Sequence, residues 1–146
     1  MPVPTIHAIP SLAGGRLRHR PILAVCLTGP AGTRLRDGLL DTGADDTVFP
    51  EPLAILLGID LSQAAERQIA LAGRPKPIRC RYAPVQLQIT DGIGETYQWT
   101  AVVGFVAGRL HYNLLGHAGF LQFFDVTFRG APDNEAILTP KSPFPG

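Results

Sequence analysis

Leu39-Leu40-Asp41-Thr42-Gly43-Ala44-Asp45-Asp46-Thr47-Val48 is the stretch on which the reading of this chain turns. An apolar pair runs into residues that are mostly turn formers, and Thr47-Val48-Phe49 then restores β-branched and aromatic character. That order implies a strand, a polar loop and another strand. A carboxylate on a tight loop directly after an apolar strand is held by the sheet yet exposed at a cleft, where a catalytic side chain belongs. As a bare tripeptide Asp-Thr-Gly carries little weight, because loops are full of Asp and Gly. A calcium loop starting at Asp41 fails on chemistry: Gly43 falls at position 3, Asp46 at the glycine position 6, and Pro52 where the bidentate glutamate belongs.

Upstream, Pro21 to Thr28 is a short β-rich run closed by Gly29-Pro30, and Thr33 to Leu40 answers it as the second arm of a hairpin. Downstream, Pro50 to Leu57 begins with Pro and Glu and stops at Gly58, which fits a helix of about two turns. Arg67 to Ala72 alternates, Gly73 to Pro77 turns, and Ile78 to Thr90 alternates again, giving a long second hairpin. Asp91 to Gly94 leads into a strand from Glu95 to Ala107; lacking a following helix, Gly92-Ile93-Gly94 is no phosphate loop. His111 to Leu115 reads as a short strand, Gly116 to Phe124 as one or two helical turns, and Asp125 to Phe128 and Ala136 to Thr139 as further strands. Met1 to Arg20 shows no usable period and reads as an extended arm that packs only if something pairs with it. The expected organisation is an arm over 1–20, one domain over 21–130 and a tail over 131–146.

Composition agrees with a single, mostly β domain. Glycine and proline make up 30 of 146 residues, about a fifth, where ordinary usage is roughly an eighth. Breakers that frequent disfavour long helices. Thirteen basic residues against twelve acidic ones leave a net charge of +1, which supplies no field to hold nucleic acid or an anionic membrane. No run approaches the roughly 18 to 20 apolar residues that span a bilayer, and the first fifteen residues lack the pattern of a signal peptide; a cytoplasmic protein is expected. Cys26 and Cys80 sit in apolar or alternating segments and read as buried reduced thiols, and His7, His19 and His111 show no ligand spacing, so no metal is expected. Trp99, Phe120, Phe123 and Phe124 read as core or interface aromatics.

The ten residues 39–48 resemble the active-site loop of the retroviral-type (retropepsin-like) aspartic proteases, in which an apolar pair precedes Asp-Thr-Gly-Ala-Asp-Asp-Thr-Val. Asn113-Leu114-Leu115-Gly116 is similar to that family's second signature, two apolar residues and a glycine packed against the catalytic loop before a short helix. Between them, the hairpin of Arg67 to Thr90 stands where the family has its mobile flap. The resemblance covers roughly Pro21 to Phe128. It implies an all-β fold, the closed acid-protease barrel with one or two short helices, and an endopeptidase without cofactor acting on a peptide or protein substrate. The chemistry needs two carboxylates, since like charges about 3 Å apart share one proton. This chain has one Asp-Thr-Gly and no serine-containing second copy, so the resemblance implies a homodimer with Asp41 of each copy meeting on the twofold axis.

Roles carried over by that resemblance make Asp41 the catalytic carboxylate. Thr42 would bond across the interface to fix the loop, and Gly43 would let backbone and substrate approach. Ala44, Asp45 and Asp46 would line the cleft and hold the substrate main chain, and Val48 and Leu115 would form apolar subsites. The tip, with Ala72, Gly73 and Arg74, would close over the peptide as an added strand. Two departures stand out. His117 and Ala118 occupy the positions where the family carries Arg and then Asp or Asn, and that Arg pairs with the residue equivalent to Asp45. The tip has a single glycine among Arg74, Pro75 and Pro77, which makes it stiffer than a glycine-rich flap. A catalytically weak module for dimerisation or peptide binding is the alternative.

Overall fold

The computed structural model describes residues 5–7, 9–13, 16–130, 132–142 and 144–145. The paired segments are β1 (Thr5–His7), β2 (Ile9–Ala13), β3 (Arg16–Arg20), β4 (Ile22–Gly29), β5 (Gly32–Leu40), β6 (Val48–Pro50), β7 (Ala65–Ile69), β8 (Ile78–Thr90), β9 (Thr96–Val106), β10 (Asn113–Leu115), β11 (Phe124–Arg129) and β12 (Glu135–Pro140). One helix, α1 (Glu51–Leu56), and one 3₁₀ turn, Leu121–Phe123, complete the described residues. The chain is therefore mostly β, as the breaker content requires.

Strand neighbours run β4-β5-β10-β6-β9-β8, and β8 pairs back onto β4 through Cys26 opposite Gln88 and Thr28 opposite Gln86. This closes a six-stranded barrel, which leaves no open edge among its members. β7 pairs with β8 outside the closed ring. The short strand β10 is inserted between the two strands that flank the Asp41 loop, parallel to β5 and antiparallel to β6. The Asn113 side-chain amide anchors it by donating to the Asp37 carbonyl at 2.8 Å.

The period-2 pattern explains the core. Leu23, Val25 and Leu27 from β4, Val85, Leu87 and Ile89 from β8, and Tyr97, Trp99, Ala101 and Val103 from β9 all point inward. Trp99 packs edge-on against Phe120 and Phe124 at centroid distances of 5.3 and 5.5 Å, and its indole N–H donates to the Gly119 carbonyl at 2.9 Å. Those aromatics are core. Near the hairpin root the other face of β8 is covered too: Cys80, Val48 and Val106 form a second small cluster with Ile69, Ile78, Tyr82, Leu110 and Leu114.

The helix predicted from Pro50 to Leu57 forms over Glu51–Leu56 and buries Leu53 and Ala54. Gly58, at φ +72°, ends it in the left-handed conformation that glycine adopts without strain. Cys80 is buried as expected, whereas Cys26 is only half-buried; both are free thiols. The stretch 1–20, expected to pack only if something pairs with it, finds partners within the chain for its described strands. β1 pairs antiparallel with β12, which also pairs with β11 in a three-stranded sheet, and β2 pairs with β3. A long-range pairing of this kind has no local sequence signal. Among the described residues no helix is long and apolar enough to cross a membrane.

Candidate active site

Asp41 begins the loop between β5 and β6, and the backbone there is bonded at almost every step. The Asp41 N–H donates to the Leu115 carbonyl at 3.1 Å and the Ala44 N–H to the Asp41 carbonyl at 3.2 Å. The Gly43 N–H donates to Asp41 Oδ1 at 2.9 Å, closing an Asx turn that orients the carboxylate. Farther along, His117 N–H bonds the Ala44 carbonyl at 2.9 Å and Ala118 N–H bonds that of Asp45 at 2.8 Å. The buried Thr47 hydroxyl donates to the Ala118 carbonyl at 2.9 Å and accepts from the Gly116 N–H at 3.2 Å. Residues 41–47 are thus stitched to residues 115–118, and the two segments singled out in the sequence form one unit.

Gly116 makes this approach possible. A β-carbon there would overlap the Asp46 carbonyl oxygen and lie 2.7 Å from that of Ala44. Gly38 serves the same end one strand away, since a side chain on it would strike Leu115.

Above the loop lies a cleft of about 1330 Å³. Asp41, Gly43, Ala44, Asp45 and Asp46 form its floor, with Leu39, Val48 and Leu114 beside them. The hairpin β7–β8 supplies the roof through residues 67–75, which include Ala72, Gly73 and Arg74, and Arg109 to Tyr112 close the far side with Arg20. Gly73 turns the tip at φ +80°, and an Arg74 guanidinium N–H donates to the Arg109 carbonyl across the mouth. Arg20 stacks over Tyr112, 5.4 Å from the ring centroid.

One residue expected at a subsite lies elsewhere. Leu115, expected at an apolar subsite, is fully buried against Gly38 and does not line the cleft. The alternation of β10 turns Leu115 into the core and leaves Leu114 facing the cleft. Thr42 is exposed and off the cleft wall. Among the described residues no ion pair joins His117 to Asp45; His117 supports the loop through its backbone alone.

Asp46 has partners that residue order did not reveal. Its Oδ2 accepts from the Tyr82 hydroxyl at 2.8 Å and from Arg67 at 3.3 Å, while the Arg67 guanidinium lies 5.4 Å from the Tyr82 ring centroid. Burial, reinforced by the Asp46 carboxylate and Cys80, pushes the Tyr82 phenol well above its ordinary value. Burial likewise raises the Cys80 thiol. Proximity to Tyr82 and then to Asp46 raises Arg67. The only legible trace of Arg67 and Tyr82 was the alternation of the two hairpin arms, which gives faces but no register.

Among the described residues no group of three or more His, Cys, Asp or Glu side chains could hold a metal ion. The arrangement sets the Asp41 carboxylate, oriented by its own Asx turn, in a cleft of about 1330 Å³ beneath the β7–β8 hairpin.

No protein-family model and no curated protein sequence matches the chain. Among solved structures it is similar to a retropepsin-like aspartic protease from Rickettsia conorii, with a TM-score of 0.58 and 18% identity over 94% of this chain and 91% of that one. At that identity the likeness establishes a retropepsin-like fold.

Proposed function

We propose that this chain is an aspartic endopeptidase that works as a homodimer. The observation that carries the reading is the Asp41 loop, stitched to residues 115–118 and set in the floor of a roofed cleft on a retropepsin-like barrel. One chain holds one such carboxylate, and peptide hydrolysis by this chemistry needs two. In the dimer the two Asp41 carboxyls share a proton. The ionised one takes a proton from a water that attacks the peptide carbonyl, and the protonated one donates to the carbonyl oxygen. Thr42, exposed on the outer side of the loop, bonds to the partner copy, while Gly43, Ala44 and Asp45 receive the substrate main chain. Ala72, Gly73 and Arg74 cover the peptide from above. Every group given a role here lies within residues 21–130, the proposed catalytic unit, and no cofactor takes part.

The test compares wild type with Asp41→Asn on a peptide library between about pH 4 and 7, with molecular mass recorded in parallel. Loss of the shared proton system is expected to lower cleavage at least about 100-fold, with a bell-shaped pH profile on the acidic side of neutral for wild type. Equal cleavage by both proteins, or a strictly monomeric wild type that is active, would overturn the proposal.

A further inference from the structure

We infer that Tyr82 and Arg67 are positioning residues that clamp the root of the β7–β8 hairpin to the catalytic loop through Asp46, so that the roof opens only at its tip, residues 70–77. The inference builds on the peptidase reading. Its geometry does not depend on it.

Register brings the pieces together. Ala65 lies opposite Tyr82 and Arg67 opposite Cys80, so Arg67 and Tyr82 are diagonal neighbours on one face of the hairpin. That diagonal lays the guanidinium over the phenol ring and lets both reach the same Asp46 oxygen. A charge-assisted bond from a half-buried phenol is among the stronger single contacts a protein makes. The strands below it are held by apolar packing of Ile69, Ile78, Val48 and Val106. On the outer side, Arg79 pairs with Glu51 at the start of α1 at 3.2 Å. The tip has nothing comparable. Residues 72–77 are all exposed and unpaired with any strand, and Arg74 alone crosses the mouth, to a backbone carbonyl. Flexing therefore concentrates between residues 69 and 78, where Pro75 and Pro77 restrict it further.

The clamp also reassigns Asp46. Its Oδ2 is occupied from within the chain, so holding the substrate main chain falls to Asp45 and the loop backbone, and Asp46 fixes the distance between floor and roof.

Full-length wild type, Tyr82→Phe, Arg67→Ala, Asp46→Asn and the Tyr82→Phe/Asp46→Asn double variant are compared by backbone hydrogen exchange. Kinetics use whichever library peptide the wild type cleaves. Tyr82→Phe keeps the ring and removes only the hydroxyl; unchanged protection of residues 97–103 in β9 shows that the barrel is intact. Loss of the charge-assisted bond is expected to speed exchange at residues 67–69 about tenfold. KM should rise at least about threefold and kcat change less than about twofold, because ground-state and transition-state contacts loosen together. The double variant should be no worse than the more impaired single. Wild-type exchange at residues 67–69 in Tyr82→Phe, or additive effects in the double variant, overturns the clamp. Cleavage by wild type with unaltered exchange in Tyr82→Phe sinks the clamp and keeps the peptidase; altered exchange with no cleavage of any peptide does the reverse.

Discussion

Replacing Gly116 by alanine tests how the loop that carries Asp41 is held. Gly116 does not adopt the left-handed backbone that favours glycine; what it supplies is space. The new methyl would overlap the Asp46 carbonyl oxygen and stand 2.7 Å from the Ala44 oxygen. Both obstacles are backbone atoms tied into the loop's own hydrogen bonds, so they cannot rotate aside as a side chain would. Overpacking against such neighbours sits at the upper end of the usual range, about 3 kcal/mol. Separating the segments also breaks the bond from the Gly116 N–H to the Thr47 hydroxyl, worth about 1 kcal/mol. At close to 150 residues, each kcal/mol moves the melting temperature about 2 to 4 °C, so Gly116→Ala is expected to melt about 8 to 16 °C lower. Gly92→Ala is the control, because a methyl there meets nothing within 4 Å, and its change is expected to stay within about 2 °C. Thermal unfolding by circular dichroism reads both. A Gly116→Ala protein that melts within about 2 °C of wild type would refute the argument that steric exclusion at this glycine holds the two segments together.

Thr47→Val keeps the shape of the side chain and removes the hydroxyl, leaving the buried Gly116 N–H without its acceptor; the expected cost is about 2 kcal/mol by denaturant unfolding, and a change below about 0.5 kcal/mol would contradict it. Alkaline conditions give a second test. Burial raises the Cys80 thiol and the Tyr82 phenol above their ordinary 9.0 and 10.0, so at high pH the folded chain keeps protons that the unfolded chain has released. Stability from these groups is complete below about pH 9 and is lost as pH rises beyond it. The melting temperature should fall from about pH 9 upward, less steeply in Tyr82→Phe; a flat profile to about pH 11, or one unaltered by the substitution, would count against it.

The features legible in the sequence were those written in consecutive residues. Asp41 to Asp46 announced a loop because turn formers interrupt apolar runs, and the alternating arms of the long hairpin announced strands because side-chain direction has a period of two. The partners of Asp46 stayed hidden for the same reason in reverse. The connection 70–77 belongs to no two-residue turn type that would fix the register, so nothing set Arg67 diagonal to Tyr82. Leu114 and Leu115 are chemically alike, and only the placement of β10 between β5 and β6 decides which of them meets the cleft. The pairing of β1 with β12 joins residues more than 120 apart in the chain, beyond the reach of any periodicity.

The slot filled by β10 gives the fold a built-in order of assembly. β4 with β5, and β8 with β9, are hairpins whose partners are adjacent in the chain and find one another early. A three-residue strand whose two neighbours both come from far upstream cannot nucleate alone; it enters once the others stand. Only then do residues 115–118 meet the Asp41 loop. A chain that stops short of residue 113 carries the whole stretch from Leu39 to Val48 but lacks residues 115–118, to which that stretch is hydrogen-bonded. The hydrogen bonds that hold the loop are thus completed by one of the last strands in chain order to enter the barrel, a consequence of topology.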